Sequence, residues 1–529
     1  MNKPPVLNSP NYVPKQMKPQ QLSMNLADAE ETLVRGAQKV AWVLPTITAV
    51  AIALASSVVL TLGGCATSAG IAPSSAQPIA PASVGLAASD PANPATTALN
   101  TDWWKAFGDP KLDEIVERAL AGSPSLKVAQ ARFARAQAAV AGAQSADGLH
   151  VNAEADVTRE RLSGSGIFPP PLGGAWYTIG NAQIGASYEF DFFGRNRSAI
   201  EAAVGGQRAA QADLQAARVV LASNVARTYV QIGRLFEQRS VAERSLKQRD
   251  EILSLIRQRV QGGLDTTVEL RQGEGSLPET RQQIEQLDEQ IALSRHALAA
   301  LTAQAPDTYD QLVVPLSTVQ AVAVPASLPA DLLGRRADIS AARWRVEAAT
   351  SDVKNAKASF YPNINLTAAA GLNAIGLNHL FRSNSEQFSA QPAITLPIFD
   401  GGRLRANLRG KNADLDAAIE SYNGAVLDAV HETADQLSSL RSIGRQQAEQ
   451  TSAQSAAESA YDLATQRYKA GLGTYLTVLN AESTVLAQRR LAADLKARAI
   501  DVQIQLIRAL GGGYTADGDA AKTATASAG

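Results

Sequence analysis

The chain has 529 residues, with 49 Lys and Arg set against 50 Asp and Glu. That balance excludes the basic stripe that nucleic acid requires, so no nucleic acid is expected as a partner. The length allows roughly two to four domains, and aromatics make up only 5% of a composition suited to long helices with small-residue contacts. Cys65 is the single cysteine, which excludes an internal disulfide framework and any Cys-x-x-Cys metal or redox site.

Arg35 and Lys39 precede an apolar run over 41–62 that ends in Leu62-Gly63-Gly64-Cys65. A basic region, an apolar stretch and small residues before a cut describe an export signal. A cysteine directly after Leu-x-Gly resembles a bacterial lipobox, so Cys65 is expected to begin the mature chain as an N-acyl S-diacylglycerol cysteine. That covalent lipid, palmitate included, is the only cofactor-like group expected. The competing reading is an uncleaved anchor, since about 22 apolar residues span a bilayer. Ala66 and Thr67 follow without an aspartate at the second position, as in lipoproteins sorted to the outer membrane, and Met24 offers an alternative start. The Ala-, Pro- and Ser-rich stretch over 66–100 has no apolar period and reads as a flexible tether.

Ordered structure is expected to open at Asp102-Trp103-Trp104-Lys105-Ala106-Phe107-Gly108-Asp109-Pro110. A helix follows to about 121, then a break at Gly122-Ser123-Pro124 and a second helix to about 146, with Pro124 at its opening, where a missing donor costs little. Four segments then alternate apolar and polar residues. Val151, Ala153, Ala155 and Val157 interleave with Asn152, Glu154, Asp156 and Thr158, and Ile184, Ala186, Tyr188 and Phe190 with Gln183, Gly185, Ser187 and Glu189. Further on, Ile364, Leu366 and Ala368 interleave with Asn363, Asn365 and Thr367, and Ile394, Leu396 and Ile398 with Ala393, Thr395 and Pro397. A period of two over about ten residues is a strand with one apolar and one polar face, long enough to cross an outer membrane. The loops over 161–178 and 371–387 hold Phe168, Trp176, Tyr177 and Phe381 as candidate interfacial aromatics. A periplasmic sandwich with one wet face is the competing reading.

Each strand pair feeds a very long helix. Gly194-Arg195-Asn196-Arg197 opens one that runs to Arg259-Val260-Gln261-Gly262-Gly263-Leu264, and Gly402-Arg403-Leu404-Arg405 opens another that runs to Arg467-Tyr468-Lys469-Ala470-Gly471-Leu472. Each interval of about 69 residues corresponds to roughly 100 Å of helix. Both helices are expected to reverse at the glycine turn and return over 266–303 and 474–510. In the first return, Ile284, Leu287, Ile291, Leu298 and Leu301 are spaced for side-by-side packing. The returns are too short to match the outgoing helices and are expected to stack end-on with the helices over 126–146 and 337–359. Gly273, Gly275 and Pro278 stand where the repeat has Ala481, Ser483 and Leu486, which predicts a local bend at Pro278, not the end of the helix.

Four strands cannot close a barrel, and an open sheet edge cannot exist in lipid. Two copies give eight strands, a barrel filled by its own side chains; three give twelve, wide enough for water. The fold class expected is therefore an α+β membrane protein. A trimeric 12-stranded β-barrel, four strands per protomer, is continued by a long periplasmic α-helical barrel built from an internal duplication. The expected domains are a leader and signal over 1–64, a lipidated N-terminus and tether over 65–101, a first repeat over 102–305, an inter-repeat linker over 306–336, a second repeat over 337–513 and a tail over 514–529.

These residues resemble the TolC-like outer membrane factor family, in its lipid-anchored drug-efflux subgroup, over about 102–514. The twin Gly-Arg-x-Arg strand exits, the twin Arg-x-x-x-Gly turns, the Trp103-Trp104 opening and Ala509-Leu510-Gly511-Gly512-Gly513-Tyr514 carry the resemblance. The run from Leu328-Pro329 to Asp338-Ile339 also resembles the family's linker, which usually has proline where Ala337 stands. The resemblance implies a homotrimeric exit duct in the outer membrane of a Gram-negative bacterium, in contact with outer membrane lipid. Its implied partners are a periplasmic adaptor and an inner membrane, proton-driven efflux transporter. It places Arg259, Gly263, Arg467 and Gly471 at adaptor-contacting tips, although a Gly C-cap and a terminal Arg also suit any helix end. It assigns the pore constriction to Leu476, Asn480 and Ser483; Thr477 and Asn480 replace aspartates that some relatives carry. A closed-state latch falls to Glu269 and Tyr468, with Gly473 where one relative has arginine.

An enzyme is not expected. His150, His296, His379 and His431 are scattered and lack HxxH or HExxH spacing, no metal site is anticipated, and Gly273-Glu274-Gly275 lies inside a helical pattern. The duct is then a passive channel. A lipid-anchored periplasmic tethering protein without a pore and an anchored hydrolase are the alternatives.

Overall fold

The computed structural model describes residues 67–84, 100–167, 169, 171–320, 322 and 332–515. Cys65 and its apolar run, Phe168, Leu328-Pro329-Ala330-Asp331 and the tail beyond Thr515 lie outside the described residues. The chain divides into two units, Met1–Thr67 and Ser68–Gly529, and the second carries the architecture.

Asp109 starts the first helix, α1 (Pro110–Gly122), by accepting from the Lys111 N–H at 3.0 Å, with Pro110 at the first helical position. After Ser123, α2 (Pro124–Ala146) leads into β1 (His150–Arg161) and β2 (Trp176–Phe190). The 67-residue α3 (Arg195–Gln261) and the 35-residue α4 (Thr267–Leu301) form the first hairpin. The second repeat follows the same order: α5 (Ala337–Ala358), β3 (Asn363–Ile375), β4 (Glu386–Thr395), α6 (Arg403–Lys469) and α7 (Tyr475–Ala509). The two outgoing helices have the same length, and so do the two returns. Pro278 lies inside α4, which runs on through it. Among the described residues no helix is long and apolar enough to cross a membrane.

The four strands form one antiparallel sheet in the order β1-β2-β3-β4, so the two repeats join at β2–β3. Its register carries the twofold alternation across every strand. Asp156, Asn181 and Asn373 share one face, with the Asn181 amide donating to Asp156 at 3.0 Å. Phe190, Ile364 and Ile394 share the other. The expected final alternation ran too far: β4 stops at Thr395, opposite Asn363, where its partner β3 begins, and Leu396 and Ile398 lie beyond it. Trp176 and Tyr177, expected in a loop, open β2, and β4 begins at Glu386, so both loops are shorter than the alternation suggests.

The returns stack end-on as expected. A Cβ at Gly122 would lie 3.3 Å from the Thr302 carbonyl, so the α1–α2 junction sits on the end of α4. At the second joint, Gly511 packs on the Arg335 carbonyl, and Arg336 donates to the Ala509 carbonyl at 3.2 Å and to Glu432 at 2.9 Å. The main core lies around the first joint. Trp103, Trp104, Phe107 and Ile115 pack on Val225, Tyr229 and Ile232 of α3, on Leu298 of α4 and on Ile504 of α7. The expected linker contributes too, burying Tyr309, Val314 and Leu316 in the same core. Asp109, 4% exposed, accepts from the Tyr229 hydroxyl at 2.8 Å and from Thr318 at 3.0 Å. Burial first and then the Asp109 carboxylate push the Tyr229 hydroxyl up, so it stays a donor. Tyr229→Phe is expected to cost ~1–3 kcal/mol by leaving a buried carboxylate oxygen short of a donor, measured as lost thermal stability.

The flexible tether is corrected over the described residues 68–84. This segment is a strap along α6: Arg405 donates to the Ala69 carbonyl at 3.0 Å and Asn412 to that of Ala72 at 2.8 Å. Asp416 accepts from Ser74, Ser75 and Ala76, and Asn423 from the Ile79 N–H. Val84 ends the strap against Leu437, Leu506 and Leu510. Side-chain acceptors on a helix surface satisfy the strap's backbone, a partnership with no local sequence signature.

Candidate gate at the helix tips

Both hairpins turn in the same way. Gly263 (φ 68°) follows α3 and Gly471 (φ 76°) follows α6. The next N–H reaches back to the Arg259 carbonyl in one and the Arg467 carbonyl in the other, each at 2.8 Å. These are Schellman caps, whose left-handed residue is cheap only as glycine. Both glycines are exposed at the tips.

The arginines before the two turns differ. Arg259 pairs with Asp265 through two bonds, Nε to Oδ2 at 2.9 Å and Nη2 to Oδ1 at 3.1 Å, with side chains 12% and 10% exposed. Its Nη1 donates to the Tyr468 carbonyl at 3.1 Å, and its guanidinium stacks 4.7 Å from the Tyr468 ring centroid. The Tyr468 hydroxyl donates to Asp265 Oδ2. Two residues of the first hairpin therefore hold one tyrosine of the second. Tyr468 also packs with Tyr461, Tyr475, Ile252, Ile256 and Val478. The Arg259 hydrogen bonds, against the opposing effect of burial, hold the Asp265 carboxyl below its ordinary 3.8, and burial with the Asp265 bond pushes the Tyr468 hydroxyl up. Arg467 is exposed and, among the described residues, reaches only the Leu472 carbonyl at 3.4 Å, since Gly473 stands at the position that matches Asp265.

Glu269, expected opposite Tyr468, is elsewhere. It completes a capping box at the start of α4, accepting from the Thr266 N–H at 2.9 Å and from the Thr266 hydroxyl. A glutamate three residues into a helix behind a threonine N-cap is committed to that cap, so Asp265, one residue before the cap, meets the tyrosine. The available signal was an aspartate six residues after an arginine across a Gly-Gly turn. Arg259, expected to contact an adaptor, is spent on the same cluster.

Leu476, Asn480 and Ser483 lie on one exposed stripe of α7, as spacings of four and three require. Tyr475, Val478, Glu482 and Val485 form the buried side of the same turns. The Ser483 hydroxyl donates to the Asn480 carbonyl at 2.8 Å, which leaves the Leu476 side chain and the Asn480 amide facing outward. The histidines lie on separate elements, and among the described residues no group of His, Cys, Asp and Glu could hold a metal ion.

The outer membrane efflux protein family model matches residues 115–304 and 328–512. The multidrug resistance outer membrane protein MdtQ of Escherichia coli O6:H1 is 33% identical over 423 residues, covering 78% of this chain and 88% of that protein. MdtP of E. coli K12 is 34% identical over 426 residues, 78% and 86% of the two chains. Among solved structures, the outer membrane protein VceC of Vibrio cholerae superposes with a TM-score of 0.74 at 35% identity, over 78% of this chain and 98% of that one. The open-state outer membrane channel MtrE of Neisseria gonorrhoeae gives 0.72 at 28% identity, over 83% and 98%. The fold expected from the sequence, barrel strands carried on long duplicated helices, is the fold of these channels. The chain belongs to the outer membrane efflux protein family, and its work is that of an outer membrane efflux channel.

Proposed function

We propose that three copies of this chain close into one duct, a twelve-stranded barrel in the outer membrane continued by a periplasmic helical tube. The observation that carries this is the four-stranded sheet, whose two outer edges, on β1 and β4, meet no further strand among the described residues, with all twelve residues of β1 exposed. Lipid offers no partner for such an edge, so a second and a third copy must. The 23-residue α2, with only Leu126 and Val140 buried, supplies a helical face for the neighbouring copy. Detergent-extracted protein is expected to run as a trimer in light scattering and to conduct in planar bilayers. A stable monomer without conductance would leave the periplasmic tethering role instead.

The duct is passive, with energy supplied by an inner membrane transporter, proton-driven in this reading, that reaches it through a periplasmic adaptor at the exposed tips around Gly263, Arg467 and Gly471. Leu476 and Asn480 ring the constriction with leucine and amide, and Ser483 lies one turn deeper. Asp265, Arg259 and Tyr468 latch the closed tip. Multidrug resistance belongs to the names of MdtQ and MdtP; this duct passes what its own pump selects.

Cys65 carries the lipid. The strap supports this: Ala69, four residues on, is bonded by Arg405, two residues into α6, the helix that follows β4 in the chain. Cys65→Ser is expected to abolish incorporation of labelled palmitate while leaving trimers extractable. Retained label in that variant would refute lipidation.

A further inference from the structure

Arg249 of α3 lies ten residues before Arg259, about 15 Å up the helix. The layer of Ile252, Ile256, Tyr461, Tyr475 and Val478 fills the space between. The Arg249 Nε donates to Glu482 of α7 at 2.8 Å, and its Nη1 to the Ser276 carbonyl at 3.0 Å and the Thr280 hydroxyl at 2.9 Å on α4. Ser245 donates to the same Glu482 oxygen at 3.1 Å. Glu482 is 5% exposed and Thr280 4%. One guanidinium thus binds both hairpins inside the bundle. At the same level Arg489 of α7 bridges Glu458 of α6 at 3.0 Å and Gln248 of α3 at 3.4 Å, and Arg490 donates to Gln283 of α4.

The irregularity of α4 belongs to this arrangement. A Cβ on Gly273 would come within 3.0 Å of Ile256 Cδ1 and 3.1 Å of Leu253 Cδ1, so the glycine lets α4 lie close on α3, within reach of Arg249. The second repeat has Ala457 at the position matching Arg249, so the duplication did not supply a second copy of the clasp.

We infer that this buried clasp is the fulcrum of the tip: opening displaces the segments below Arg249 and Glu482 and leaves those above in register. The inference rests on the reading of the tips as the gate. Separating a buried ion pair strands a charge away from water and is strongly disfavoured. The tip pair is enclosed to the same degree, with the Arg259 and Asp265 side chains 12% and 10% exposed against 14% and 7% for those of Arg249 and Glu482. Both its charges belong to the first hairpin, however, so parting the hairpins there breaks only the bonds to Tyr468 and no ion pair. Arg249 and Glu482 are positioning residues that set how far up the tube the hairpins part.

Amide hydrogen exchange on Asp265→Asn trimers tests this with the clasp intact. Exchange is expected to accelerate over 256–270 and 457–481 and to keep wild-type rates over 240–249 and 482–495. Acceleration continuing evenly past Glu482 would overturn the fulcrum alone, whereas no change anywhere would remove the gate reading and the fulcrum with it. In planar bilayers, Asp265→Asn combined with Arg249→Met and Glu482→Leu is expected to show at least twice the single-channel conductance of Asp265→Asn, because opening then spreads upward. Equal conductance would also overturn the fulcrum.

Discussion

Asp265→Asn is expected to raise the resting conductance of the reconstituted channel by about an order of magnitude or more, because it removes the charge from the one group that holds both Arg259 and Tyr468. A hydrogen bond to a charged group contributes ~1.5–3 kcal/mol, and the closed-to-open ratio changes tenfold for every ~1.4 kcal/mol. Tyr468→Phe loses one donor and keeps the ring against Tyr461 and Tyr475, so its effect should be smaller, ~1 kcal/mol. Arg467→Ala, at the matching arginine without an acid, should leave resting conductance unchanged. The pH dependence has a definite sign. The Asp265 carboxyl titrates below 3.8 in the folded protein, so its contribution is complete above 3.8 and is lost as the pH falls through the depressed value. Conductance recorded on acidification should therefore stay low through the mildly acidic range and rise only below the ordinary aspartate region. Opening near pH 6 would exclude Asp265 as the titrating group.

Gly511→Val is expected to abolish stable trimers. Gly511 has a φ of 94°, and a Cβ there would lie 1.8 Å from the Arg335 carbonyl oxygen. The contact is with backbone, which cannot rotate away, and a β-branched residue at positive φ is strained independently of space. The neighbouring Arg336 is 8% exposed and tied to Glu432, Asp338 and the Ala509 carbonyl, so the joint cannot shift without exposing or stranding its charge. A loss of ~4 kcal/mol or more, the range reserved for forced core rearrangements, should appear as a collapse in trimer yield and in the helical melting temperature. Gly206, where an added Cβ would meet nothing within 4 Å, is the control: Gly206→Ala should be neutral or slightly stabilising.

Much of this molecule was readable because its signals are local. A twofold alternation gives a strand face, and the register from Asn181 to Asn373 then keeps those faces together. The glycine turn closing each long helix supplies the left-handed residue that a Schellman cap needs, so Gly263 and Gly471 placed both tips. The errors came where a residue has two local uses or a distant partner. Glu269 fits a latch by family position, but its own helix start takes it first. Leu396 and Ile398 continue the alternation past Thr395, where the partner strand β3 begins and the ladder ends. The strap over 68–84 looked unstructured because its partners, Asp416 and Asn423, stand more than three hundred residues away.

By itself, then, the sequence determined the duplicated plan, the strand faces, the two long rods and their turns, since each follows from backbone preferences within a few residues. Tertiary structure alone decided that Asp265 grips Tyr468, that Arg249 ties three helices and that the strap lies on α6. Those are contacts between side chains far apart in the chain, and their partners are selected by which faces packing brings together.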